Sequence, residues 1–184
     1  MSSQASEPAS DERMMAYSAS LELSVKDNEE TRKLLIELMR SSGGFIVNET
    51  ESSIRTRIPS QNMDIFLAEA RTFGNVENES KSGADITDQY RDNVARLNGL
   101  KNVRDRYLAL LEQANTVSDI LSIERELERV NTNIDILEGR IRHAESSVAY
   151  SIVTVKFREK TKLGPVGWIF YGLYRGVKWL FVWS

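Results

Sequence analysis

Apolar residues recur at alternating spacings of three and four from Ile120 through Ile123, Leu127, Val130, Ile134, Leu137, Ile141 and Ala144 to Val148. That interval is the seam of a helix that packs lengthwise on another helix. A second amphipathic segment, Ile86 to Leu111, precedes it across a short polar break. Together they predict one long antiparallel coiled-coil hairpin over residues 86–146, with arms of about 26 to 28 residues projecting roughly 40 Å. The tip falls near Ala114 to Ser118, where Thr116 followed three residues later by Asp119 resembles a capping box. In the first arm Tyr90, Val94 and Leu97 hold the seam, and Lys101 and Arg104 then stand where apolar residues should continue. Leu100, Val103, Tyr107, Leu108 and Leu111 shift the stripe sideways. Lys101 and Arg104 are therefore expected at the seam edge, paired across it with Glu124 or Glu128.

The segments on either side change period. From Met15 to Val25 the apolar residues occupy odd positions (Met15, Tyr17, Ala19, Leu21, Leu23, Val25), the alternation of a half-buried strand. Asp27 or Asn28 can cap a following helix whose buried stripe is Leu34, Leu35, Leu38 and Met39, and Gly43-Gly44 supplies the positive φ that ends it. Phe45 to Asn48 and Ile54 to Ile58 read as strands joined by a tight polar turn around Glu49 to Ser52. A short helix with Met63, Phe66, Leu67 and Ala70 on one face stops at Gly74, and a polar strand runs from Val76 to Ala84. This order is that of a ferredoxin-like split βαβ sandwich of the α+β class, with two helices over one sheet face. Ser147 to Arg158 is a further strand, with Tyr150 and Ile152 on one face and Val153, Val155 and Phe157 on the other. It should enter the same sheet as a fifth strand, making the hairpin an insertion between neighbouring strands. The expected divisions are a flexible leader over 1–13, a sandwich over 14–85 and 147–160, the hairpin over 86–146 and a tail over 161–184.

Charge is unevenly distributed. The formal net charge is −3, but residues 156–184 carry +5 and residues 1–155 carry −8. An acidic body with a basic, aromatic tail argues against nucleic-acid binding and suits a tail near anionic lipid. There is no cysteine, which removes disulfides, thiolate metal sites and a cysteine nucleophile. Met1 to Glu12 is rich in Ser, Glu and Pro without an apolar stretch, so it is expected to be a leader and not a signal peptide.

Several phrases together resemble a bacterial family of unknown function found in lipoproteins, the DUF4349 type. They are Gly43-Gly44 before a strand, Ile58-Pro59-Ser60, Phe73-Gly74-Asn75-Val76, Asp85 to Tyr90 followed by Asp92 and Ala95-Arg96-Leu97, and Asp119 to Leu127. The resemblance covers about residues 14–160 and implies placement at the bacterial envelope, with the folded part outside the cytoplasm. Two departures stand against the family pattern: the lipidation cysteine is missing, and no full-length membrane helix follows the domain. Met1 standing in place of the modified cysteine would reconcile the first.

Candidate chemistry is sparse. His143 is the only histidine and lies beside the seam, without partner ligands at metal-binding spacing. Asp85, Asp88 and Asp92 cluster near a helix start, where carboxylates usually cap the helix and complement its dipole. As an acid pair for hydrolysis, Asp85 and Asp92 lack a base, a nucleophile and an oxyanion element. Glu124, Glu126 and Glu128 with Arg125 and Arg129 read as a charged hairpin flank. No glycine cluster has the strand-to-helix order of a phosphate loop.

The tail carries more signal. Trp168, Phe170, Tyr171, Tyr174, Trp179, Phe181 and Trp183, with Arg175 and Lys178, are the expected membrane-interface residues. The stretch from Trp168 to Trp183 has 16 residues, short of the about 20 needed to span a bilayer. The expected function is a non-enzymatic, membrane-associated envelope scaffold without cofactor or metal. Its partners would be membrane lipids and a protein, self-association included. Gln113, Asn115, Thr116 and Val117 at the hairpin tip are the expected partner-facing residues. The alternative is an extracytoplasmic small-ligand or signal-sensing domain that uses the exposed sheet face as a pocket.

Overall fold

A computed structural model of the chain describes residues 13–159. The leader expected over 1–13 lies outside these residues except for Arg13, and the tail expected over 161–184 lies wholly outside them.

The elements are β1 (Met15–Val25), α1 (Asn28–Ser41), β2 (Phe45–Thr50), β3 (Ser53–Pro59), α2 (Met63–Ala70), β4 (Asn75–Asp85), α3 (Thr87–Gln113), α4 (Val117–Ala149) and β5 (Tyr150–Glu159). Asp27 is the cap of α1, its Oδ1 accepting from the backbone N–H groups of Glu29 at 2.8 Å and Glu30 at 2.9 Å. The helix ends at Gly43, which takes φ +75°. There the chain turns so sharply into β2 that a Cβ on Gly44 would lie 2.7 Å from the Arg57 carbonyl oxygen. The buried stripe of α1 is Thr31, Leu35, Leu38 and Met39. Leu34, expected on that stripe, is exposed, because the 31–35–38 spacing rotates the buried face away from it.

The protein is an α+β fold built on a five-stranded mixed sheet in the order β2-β3-β5-β1-β4. β5 is parallel to β1 and antiparallel to β3, while β4 closes the other side of β1. The sheet therefore has the expected five strands, but the hairpin does not join neighbours: β1 separates β4 from β5. The physical reason is connection length. A hairpin-sized excursion lets the returning strand reach past the edge and pair in parallel, which a short turn cannot do. The core lies on the face covered by α1 and α2, where Leu21, Leu23, Ile58, Val153, Val155 and Phe157 meet Leu35, Met63, Phe66 and Leu67. Both edge strands, β2 and β4, are largely exposed, and all of β4 is.

The seam follows the three-and-four rhythm. Leu127, Val130, Ile134 and Leu137 are buried, and the other five seam positions are half-buried. Tyr90, Val94, Leu97, Leu100, Val103, Tyr107 and Leu111 of α3 are half-buried as well, whereas Leu108 faces out. Asn93 is the one fully buried residue of α3, although it is polar. Pairs between the arms run in opposite sequence order: the Tyr90 hydroxyl donates to Glu145 at 3.0 Å and Lys101 meets Glu138 at 2.9 Å, so α3 and α4 are antiparallel.

The base of this arm is bolted to the sheet. Met14 N–H donates to Thr87 Oγ1 and Ile86 N–H to the Met14 carbonyl, both at 2.9 Å. Arg57 donates to Ser146 Oγ at 2.9 Å, and the Ser60 hydroxyl donates at 2.6 Å to the Val148 carbonyl, one of the otherwise unpaired acceptors at the end of α4. These bonds fix the direction in which the arm leaves the sheet.

Candidate functional site

At the tip, α3 stops at Gln113 and α4 starts at Val117. Thr116 caps α4: its Oγ1 accepts from Asp119 N–H at 3.1 Å and its hydroxyl bonds the Asp119 carboxylate at 2.6 Å. Asn115 Nδ2 donates to the Gln113 carbonyl at 3.1 Å. The side chains of Asn115 and Thr116 are thus engaged in building the turn, which leaves Gln113 and Val117 as the outward groups among the four tip residues. Val117 is 74% exposed, and Leu108, Leu110 and Leu121 on the outer part of the arm are each close to half exposed. Exposed apolar side chains thus stand on both helices near a polar turn. The leucines were not read from the sequence as part of the site. Leu110 falls off the apolar stripe by its spacing, whereas Leu108 was expected within that stripe and is exposed instead. Removing the cap by Thr116→Ala should lower stability by about 1 kcal/mol, measured as a shift of the urea midpoint at unchanged slope.

One flank of the arm carries an ion pair that crosses between its helices. Lys101 crosses to Glu138, which also lies 3.9 Å from Arg142. The Lys101 hydrogen bond and charge hold the Glu138 carboxyl below its ordinary range. The partner is not Glu124 or Glu128, because helical side chains lean toward their own N-terminus. In an antiparallel pair Lys101 therefore reaches toward the base while Glu138 reaches toward the tip, and Glu124 and Glu128 lean away from it. Arg104 stays on its own helix, 2.9 Å from Asp105. On the same flank Glu145 accepts the Tyr90 hydroxyl, which raises the tyrosine pKa.

The opposite flank is concave. A groove of about 470 Å³ midway along the arm is lined by Arg96, Gly99, Leu100, Asn133, Leu137 and Arg140, with Ile136 half exposed at its margin. Nearer the base a second cavity of about 300 Å³ has Ile86, Tyr90, Ala144 and the buried Asn93 in its wall, with Arg140 and His143 also lining it. The acid cluster at the start of α3 is occupied locally. Asp85 Oδ1 accepts from the Thr87 N–H at 3.0 Å and from its hydroxyl at 2.6 Å, bonds that lower the Asp85 pKa, and Asp92 pairs with Arg96 at 3.0 Å. Among the described residues no group of three or more His, Asp or Glu side chains is placed to hold a metal ion. Among the same residues no helix is long and apolar enough to cross a membrane. The membrane-interface residues Trp168, Phe170, Tyr171, Tyr174, Arg175, Lys178, Trp179, Phe181 and Trp183 all lie outside the described part of the chain.

The geometry is that of a small α+β domain with an antiparallel helical arm fixed to one end of its sheet. The chain belongs to the family described as "Domain of unknown function (DUF4349)", whose model matches residues 13–183. The match extends past the last strand and takes in the aromatic tail. No curated protein and no solved structure matches the chain.

Proposed function

We propose that this protein is a non-enzymatic scaffold of the bacterial cell envelope, held at a membrane by residues 163–184 and presenting its helical arm to a protein partner. The observation that carries this reading is the polarity of the sheet. The arm leaves from the end where Asp85 pairs with Met15 and Tyr150 with Pro59. β5 then runs the length of the sheet to Glu159, which pairs with Val25 and bonds the Asn28 N–H at the far end. Glu159, the last described residue, thus lies at the pole opposite the base of the arm, and a membrane at that pole would leave the arm free to extend away from it. The body itself offers anionic lipid little, because Asp27, Glu29, Glu51 and Glu159 cluster at that pole around Arg32.

Two finer points belong to the same proposal. The seam is a short coiled coil, supported by its alternating spacing and by the Lys101–Glu138 pair that crosses it. The sheet is a ferredoxin-like sandwich with a strand intercalated at its centre: setting β5 aside leaves β2-β3-β1-β4, the order of a split βαβ unit. Aromatic residues with interspersed cations support an interfacial anchor, and the family match through residue 183 supports counting that anchor as part of the domain. The test is sedimentation with anionic phosphatidylglycerol vesicles. The full chain should pellet at low salt, and deleting residues 163–184 should abolish pelleting; a shortened protein that still pellets would show that the anchor lies elsewhere.

A further inference from the structure

The concave flank of the arm has a chemistry that reverses along its length. On α3, positions seven apart on this side are Gln89, Arg96, Val103 and Leu110, and on α4 they are Glu126, Asn133, Arg140 and Ser147. The half nearer the base is hollow and cationic. Arg140 forms no ion pair among the described residues, Arg96 reaches only Asp92 on its own helix, and Gly99 leaves open space between them and the apolar floor of Leu100 and Leu137. The half nearer the tip carries the opposite features, an exposed Leu110 and a half-buried Glu126, whose ion pair among the described residues is with the exposed Arg129 one turn away. Asn133 stands seven residues from Glu126 and seven from Arg140.

We propose that this flank is self-complementary and binds the same flank of a second copy of the chain, antiparallel, about a two-fold axis beside Asn133. A contact of this kind is isologous, so every pairing occurs twice. Glu126 of each copy meets Arg140 and Arg96 of the other, and Leu110 of each seats in the partner's basal cavity between Ile86 and Ala144. Overlap from Gln89 to Leu110 gives a four-helix contact roughly 30 Å long. The exposed Glu126–Arg129 pair is weak enough to be exchanged. The inference rests on the scaffold reading, since it names the partner of the arm, but its test does not depend on lipid.

The experiment is a charge swap in the full chain, kept in a non-ionic detergent and followed by sedimentation velocity. The wild type should dimerise. Arg140→Glu and Glu126→Arg should each weaken dimerisation at least tenfold, because each sets like charges against one another twice in the interface. An equimolar mixture of the two variants should recover it, since both pairings are then attractive. Arg140 is exposed and Glu126 is half-buried with its side chain reaching solvent, and circular dichroism checks that each variant is folded. A wild type that stays monomeric, single variants that dimerise unchanged, or a mixture that fails to recover overturns the proposal. Vesicle sedimentation of the same variants, which the scaffold reading expects to be unaffected, separates failure of the flank from failure of the anchor.

Discussion

Val130→Asp is expected to unfold the outer part of the helical arm while leaving the sheet intact. Val130 is 2% exposed and lies at the centre of a seam in which only Leu127, Ile134 and Leu137 are comparably covered. An aspartate there is an uncompensated buried charge, a class of change that costs about 3–5 kcal/mol. The arm cannot spread that cost. Its two helices pack chiefly on each other, and helices in proteins owe most of their stability to such packing of an apolar face. The base stays anchored through Ser60, Arg57 and Met14. The expected record is a large loss of ellipticity at 222 nm with amide resonances of β1, β3 and β5 retained. Collapse of both sets of signals together would mean that arm and sheet form one cooperative unit.

Phe157→Ala is the second large effect, and its signature is the opposite. Phe157 is fully buried on the central strand among Leu23, Phe66 and the other residues of the covered face. Truncating a buried phenylalanine removes apolar contact and leaves a cavity, together about 3–5 kcal/mol. β5 bridges the two halves of the sheet and continues directly from α4, so loosening it releases the arm as well. Urea denaturation should show one transition at a lower midpoint in the ellipticity and in the amide resonances of the sheet alike. A loss under about 1 kcal/mol would mean that this strand is not holding the core.

These contrasting expectations follow from which parts of the protein could be read along the chain and which could not. The seam was legible because burial on a helix repeats locally: each of Ile120 to Val148 is set by neighbours three and four residues away. β1 was legible for the same reason at period two, with Ala19, Leu21, Leu23 and Val25 all buried. The central place of β5 was not, because strand order is decided by contacts between residues far apart in sequence. A hint was present in Ile152-Val153 with Val155 and Phe157, a nearly continuous apolar run suited to an interior strand.

The site followed the same division. Thr116 with Asp119 disclosed the turn, since caps are local. The partner of Lys101 depended on side-chain lean, and burial of Asn93 depended on its place near the foot of the arm against the sheet; neither is written in spacing. Leu110, Val117 and Leu121 are what the seam leaves over, whereas Leu108 was expected in the α3 stripe and faces out.

The middle of the sheet is the last part of the fold to be synthesised. β1 and β3 have no direct pairing, and the strand that unites them arrives only after the whole arm has been made. A nascent chain therefore cannot seal its core early, and non-local pairing of this kind is slow in any case. Under the envelope placement proposed above, such a late keystone would keep the exported polypeptide pliable until β5 has emerged.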